Sequence, residues 1–199
     1  MTQIWVEGNI ASGKTTFLKK LQNYVEINNL NIQIKKEPIE EWCIPFKLFS
    51  NNKITGAELQ TIIQNSLLKR EKELVESEIT FLERSLEASL NVFAPILEIN
   101  KKMTQEELES MKIKEKKRKK SEQYNNAIIL YIKTPVDICL KRVIQRNQTG
   151  DQLVSKKYLQ EIHEKHENWM KETKRKIIVV HGENLNFDID QILKKIKKM

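Results

Sequence analysis

Gly8-Asn9-Ile10-Ala11-Ser12-Gly13-Lys14-Thr15 fits the pattern G-x-x-x-x-G-K-[ST] at every fixed position, and what flanks it decides the fold. The apolar run Ile4-Trp5-Val6 precedes it as a short buried strand, and Phe17, Leu18, Leu21 and Val25 follow at helical spacing. Strand, glycine-bearing loop and helix in that order make a phosphate cradle. Glycines let successive N–H groups turn inward, and the helix N-terminus adds its positive dipole end. Lys14 is then expected to reach the β- and γ-phosphates of a nucleotide such as ATP, and the Thr15 hydroxyl to hold Mg²⁺.

The chain of 199 residues is long enough for one substantial core, and we expect one domain. Its net charge of +8 suits an anionic partner, but the excess sits in local lysine-rich runs that solvated helices explain as well. Nucleic acid is therefore not the expected partner. Cys43 and Cys139 are far apart and form neither a disulfide framework nor a zinc motif. The sequence begins directly on the first strand without a leader, and no apolar run reaches membrane-span length, so a soluble cytoplasmic protein is expected.

Further along, Asn31 to Lys36 reads as a second strand that delivers Glu37-Pro38 at its carboxyl end. Ile39-Glu40-Glu41-Trp42 follows, then a stretch expected to be irregular through Pro45, Phe46 and Phe49. Thr55 to Ser77 carries apolar residues at helical intervals. Ile79 to Leu82 is a third strand delivering Glu83-Arg84-Ser85, and a helix from Leu86 to Ile99 is expected to bend or end early at Pro95. Thr104 and Glu107 form a capping box ahead of the basic run Lys112 to Lys120. Ala127 to Lys133 is a fourth strand, Pro135 opens a helix to Arg146, a helix spans Ser155 to Lys174, Ile177 to Val180 is a fifth strand, and a helix from Asp188 closes the chain. The alternation predicts an α/β fold: a five-stranded parallel sheet covered on both faces, with ligands outside the carboxyl ends of its strands.

Those ends gather Glu7, the loop, Glu37, Glu83, Arg84 and Thr134 at one mouth. Phosphoryl transfer there needs an acceptor held in line, a group to take its proton, and positive charge on the moving phosphoryl. Glu37 is the candidate base. Glu83 is a candidate for the metal or its waters, Arg84 for orienting the acceptor oxygen, and Arg142 and Arg146, one turn apart, for closing over the phosphates. His163 and His166 lack a clear third ligand for a metal site.

Four motifs in this order, Gly8 to Thr16, Glu37 to Trp42, Glu83-Arg84-Ser85 and Pro135 through Arg146, resemble the deoxyribonucleoside kinase family, as does the helix Tyr158 to Trp169. The resemblance covers nearly the whole chain. It implies a P-loop kinase fold with an arginine-bearing lid near 142–152, ATP or another triphosphate as donor, Mg²⁺, a deoxynucleoside acceptor and a homodimer. Residue by residue it implies Gly8, Asn9, Ile10, Ala11, Ser12, Gly13, Lys14, Thr15 and Thr16 on the donor, with Thr15 and Glu83 toward the metal. It makes Glu37 the base on the sugar 5′-hydroxyl with Arg84 as its partner, Gln60 the reader of the base edge, Trp42 and Phe93 the aromatic walls, and Arg142 and Arg146 the lid arginines. Asp151 falls where the family has a glutamate near the 3′-hydroxyl. Phe49 replaces a common tyrosine, Gln148 a lid arginine and Gly150 an acidic residue.

Thymidine-accepting members have apolar or small residues near the base, and Ile63, Leu67 and Ser89 stand at those places, so pyrimidines, thymidine first, are the expected acceptors. Richness in Lys, Asn and Ile fits an A+T-rich genome such as a viral one, for which the compartment would be the host cytoplasm. Two other readings stay open: a thymidylate-type monophosphate kinase, and a non-catalytic P-loop protein that binds nucleotide or nucleic acid.

Overall fold

A computed structural model describes residues 1–73, 75–118, 120–147, 151 and 154–199. Among them, five strands form one all-parallel sheet in the order β2-β3-β1-β4-β5: β1 Thr2–Glu7, β2 Ile32–Lys35, β3 Ile79–Glu83, β4 Ile128–Lys133 and β5 Ile177–His181. β1 lies in the middle, with Val6 level with Glu83 on one side and Leu130 on the other. The phosphate loop therefore emerges between the ends of β3 and β4. Helix α1, Lys14–Ile27, turns Phe17, Leu18, Leu21 and Val25 onto Ile4, Val6, Phe81 and Leu130. Trp5, Leu82 and Ile129 point to the opposite face and pack with Val92, Tyr124 and Ile162, as the period-2 alternation of strand side chains requires.

Cover is incomplete at the β5 edge, where Val179 is 49% exposed; an apolar run does not bury both faces of a strand that has one neighbour. Helix α2 is a second correction. The stretch expected to be irregular is helical from Ile39 to Ser50 with Pro45 inside it. Pro45 cannot donate to Glu41, but packing against α3, Gly56–Lys72, compensates. Trp42 Nε1 donates to Ser66 Oγ at 2.7 Å, and Trp42, Phe46 and Phe49 close over Leu59, Ile63 and Leu67. Helix α3 starts at a Thr55–Glu58 capping box and ends at Lys72, short of the expected Ser77.

Pro95 neither ends nor bends its helix in the expected way. The chain runs as α4 Leu86–Ala88, a π turn Ser89–Phe93, and α5 Ala94–Ile99. The Ala94 N–H reaches back five residues to Ser89, and that wide register accommodates the donor missing at Pro95. Ser89 and Phe93, at the two ends of the turn, both face the cleft described below.

The capping box at Thr104 and Glu107 opens α6, Gln105–Lys117, as expected, and a short helix α7, Glu122–Asn125, precedes β4. Part of the basic run turns inward: Arg118 pairs with Glu115 and Glu71, and both Arg118 and Lys120 lie over Tyr124. Helices α8 Val136–Arg146, α9 Lys156–Glu172 and α10 Ile189–Lys197 complete the chain. Among the described residues no helix is long and apolar enough to cross a membrane. Gln148 and Gly150, two of the noted departures, lie outside the described residues, as does most of the lid stretch beyond Asn147.

Candidate active site

One cleft of about 1200 Å³ opens over the carboxyl ends of β1, β2 and β3. Ile10 to Thr16 line one wall. Gly8 and Gly13 hold φ of 147° and 110°, and a Cβ on Gly8 would stand 2.5 Å from the Ile132 carbonyl oxygen, so the loop's path needs glycine there. Asn9 lies beneath the loop, its side chain accepting from the Ile10 N–H and donating to the Leu159 carbonyl.

Lys14 Nζ donates to the carbonyls of Gly8 at 3.1 Å and Asn9 at 2.9 Å. Burial, and Arg84 nearby, depress its pKa. Among the described residues Ser12 Oγ, which is buried, has no partner. A buried ammonium held by two carbonyls, an orphan hydroxyl and a glycine-shaped cradle fit a polyphosphate. Thr15 Oγ1 donates to Glu83 Oε1 at 2.7 Å, an all-oxygen pair of the kind Mg²⁺ takes.

Glu83 also ties the loop to the chain just beyond β2. Its Oε2 accepts from the Glu37 N–H at 3.5 Å, while the Glu37 carboxylate forms an ion pair with Arg84 Nε. Both partners of that pair are about 7% exposed at the side chain. Arg84 lies over the Phe93 ring, 4.2 Å from its centroid, and its Nη1 has no partner among the described residues. Burial works against its charge, but Glu37, Glu7 and Glu83 outweigh burial and raise its pKa.

Arg84 takes the left-handed conformation, φ 62°, which a non-glycine residue holds only when its surroundings fix it. Its N–H donates to the Val6 carbonyl at 3.1 Å, and the Ser85 N–H donates to Glu7 Oε1 at 2.7 Å. Arg70 reaches across from α3 to the carbonyls of both Glu83 and Arg84. Sequence reading missed Arg70. Its sign was an arginine at a position, three residues after Leu67, where the apolar stripe of α3 calls for a hydrophobe. Glu7, fully buried and with Oε2 unpartnered among the described residues, is pushed up to about 7 by burial, against the pull of Arg84.

On the far wall stand Trp42, Phe49, Gln60, Ile63, Ser89 and Phe93. Leu67, grouped with them from the sequence, is fully buried beneath Trp42 and does not line the cleft; it points along the α2–α3 seam instead. Arg142, Arg146 and Asp151 edge the mouth. Arg142 donates to the carbonyls of Ala11, Ser12, Gly182 and Glu183, bracing the loop from behind. Arg146 forms a two-bonded ion pair with Asp151 at 2.8 and 2.7 Å. His166, 0% exposed, donates from Nδ1 to the Ile162 carbonyl at 2.9 Å and stacks on Tyr131; burial lowers its pKa to about 3. Among the described residues no cluster of three metal-ligating side chains occurs.

A parallel sheet with this loop after β1, and a deep chamber beside it, define a P-loop kinase fold. The chain belongs to the deoxynucleoside kinase family, whose profile matches residues 4–199. It is similar to human mitochondrial thymidine kinase 2, with 27% identity over 84% of this chain and 63% of the relative. A probable deoxycytidine kinase of fowlpox virus is 28% identical over 96% and 80%, and human deoxycytidine kinase 25% over 84% and 75%. The chain thus spans less than two thirds of the length of thymidine kinase 2.

Proposed function

We propose that this protein transfers the γ-phosphoryl group of ATP to the 5′-hydroxyl of a deoxyribonucleoside, a pyrimidine with thymidine foremost, in a cytoplasmic salvage role. One observation carries the reading: Glu83 accepts hydrogen bonds from Thr15 on the phosphate loop and from the Glu37 main chain on the acceptor side. A single carboxylate therefore sets the distance between a donor phosphate and an acceptor hydroxyl, which is the positional requirement of phosphoryl transfer.

In this reading Glu37 takes the 5′-hydroxyl proton as that oxygen bonds to the γ-phosphorus and the bridging oxygen leaves with ADP. Arg84 keeps Glu37 oriented and turns its unpartnered Nη1 to the acceptor oxygen. Lys14, already buried between two carbonyls, shifts its ammonium onto the phosphates. Thr15 and Glu83 would hold Mg²⁺, which supplies charge neutralisation on the phosphate oxygens. Trp42 and Phe93 take the base between them, Gln60 reads its edge, and Phe49 packs the sugar side without a hydroxyl. The Arg146–Asp151 pair opens on binding, freeing Arg146 for phosphate and Asp151 for the sugar. The whole chain acts as one domain, with 142–152 as its lid, and assembles as a homodimer.

The names of the relatives, thymidine kinase 2 and deoxycytidine kinase, support a pyrimidine acceptor. The test is an acceptor panel with labelled ATP and Mg²⁺: thymidine and deoxycytidine should be phosphorylated ahead of deoxyguanosine, and thymidylate not at all. Label on thymidylate alone would make this a monophosphate kinase.

A further inference from the structure

Gln64 stands one helical turn beyond Gln60 on α3, behind the cleft wall, and Ser89 joins the two. Gln64 Nε2 donates to Ser89 Oγ at 3.3 Å, and Ser89 Oγ donates to Gln60 Oε1 at 2.5 Å. Gln60 is 3% and Ser89 1% exposed, so water competes weakly for these groups. Gln60 and Ser89 line the cleft, whereas Gln64 does not.

A primary amide carries donors at one end and an acceptor at the other, and a hydroxyl carries one donor and two lone pairs. The chain Gln64 to Ser89 to Gln60 therefore runs equally well backwards. If both amides turn over, Gln60 Nε2 donates to Ser89 and Ser89 donates to Gln64 Oε1. Both hydrogen bonds of the relay are kept in either direction. The pairing edges of the two pyrimidines invert in the same sense: thymine offers an acceptor at position 4 and a donor at N3, cytosine a donor at position 4 and an acceptor at N3. An amide that reads one must turn over to read the other. A site of fixed polarity would reject the mismatched edge by about 10⁴-fold.

We infer that Gln64 is a specificity-determining residue, acting through Ser89 on Gln60. Its reversible amide lets one cleft accept both 4-oxo and 4-amino pyrimidine deoxynucleosides. This rests on the proposed function, because it needs a base at Gln60. Ile63, Trp42 and Phe93 contact either ring by shape alone, so the 4-oxo to 4-amino choice falls to the relay.

The test is the ratio of kcat/KM for thymidine to that for deoxycytidine, taken within one preparation so that the active fraction cancels. Wild type should give a ratio within about tenfold of unity, in place of the 10⁴-fold rejection of a fixed site. Gln64→Glu leaves only acceptors behind Ser89 and Gln64→Lys only donors, so the two should move the ratio in opposite directions, each by roughly threefold or more. In a Ser89→Ala background neither substitution should move it. A ratio unmoved by both substitutions, moved the same way by both, or moved as strongly without Ser89 would overturn the inference while leaving the kinase reading intact. Wild type inactive on every deoxynucleoside would instead remove the kinase reading, and the inference with it.

Discussion

Arg70 Nη2 donates to the main-chain carbonyl oxygen of Arg84 at 2.7 Å, so one buried arginine holds the backbone of another that faces the cleft. Arg70 Nη1 takes the neighbouring Glu83 carbonyl and reaches that of Lys36 at 3.4 Å, which joins the ends of β2 and β3. The left-handed turn at Arg84 is thus fixed by α3 on one side and by Val6 and Glu7 on the other.

Arg70→Met should leave those carbonyls unpaired and cost about 2–4 kcal/mol of stability. Urea unfolding measures it. Arg70→Lys should recover part of the loss, since an ammonium satisfies one carbonyl but not the fork of two.

Glu7 gives a pH signature. Burial raises its pKa to about 7 from 4.5, so between those values the folded chain holds a proton that the unfolded chain releases. Its contribution is fully present below 4.5 and is lost as pH rises through 7, up to about 3 kcal/mol. His166 runs the other way: its pKa of about 3 in the fold costs stability as pH falls below 6.5. The separation comes from comparison. Between pH 4.5 and 7, where the His166 contribution is common to both proteins, wild-type urea midpoints should decline relative to those of Glu7→Gln as pH rises, and a constant difference would show that Glu7 is not the source.

The loop gives a steric prediction. Gly13→Ala would place a Cβ 2.6 Å from Leu185 Cδ2 at φ 110°, a conformation L side chains rarely adopt. ATP affinity measured calorimetrically should fall at least about tenfold while the fold persists, because the change distorts the loop rather than the sheet.

What could be read in advance followed local rules. Loop, strands and capping box at Thr104 are set by residues within a few positions of one another, so spacing alone located them. Helix α2 escaped because Pro45 argues locally for a break, whereas the Trp42–Ser66 hydrogen bond that sustains it comes from a residue 24 positions away. Leu67 was grouped with the cleft by its correspondence to base-side positions of the family, and a correspondence of positions does not say that Trp42 covers this side chain. Arg70 and Gln64 stayed hidden for a related reason: a polar side chain on a helix reads as solvated until its partner on another element is known.

The Glu37–Arg84 pair is the centre of the reading, and a single substitution tests it most directly. Glu37→Gln keeps the shape of the side chain but is too weak a base to take the 5′-hydroxyl proton. With thymidine and labelled ATP, turnover should fall by about 10²–10⁴-fold while ATP binding stays within about twofold of wild type. Turnover that survives the substitution would contradict the assignment of Glu37 as the base.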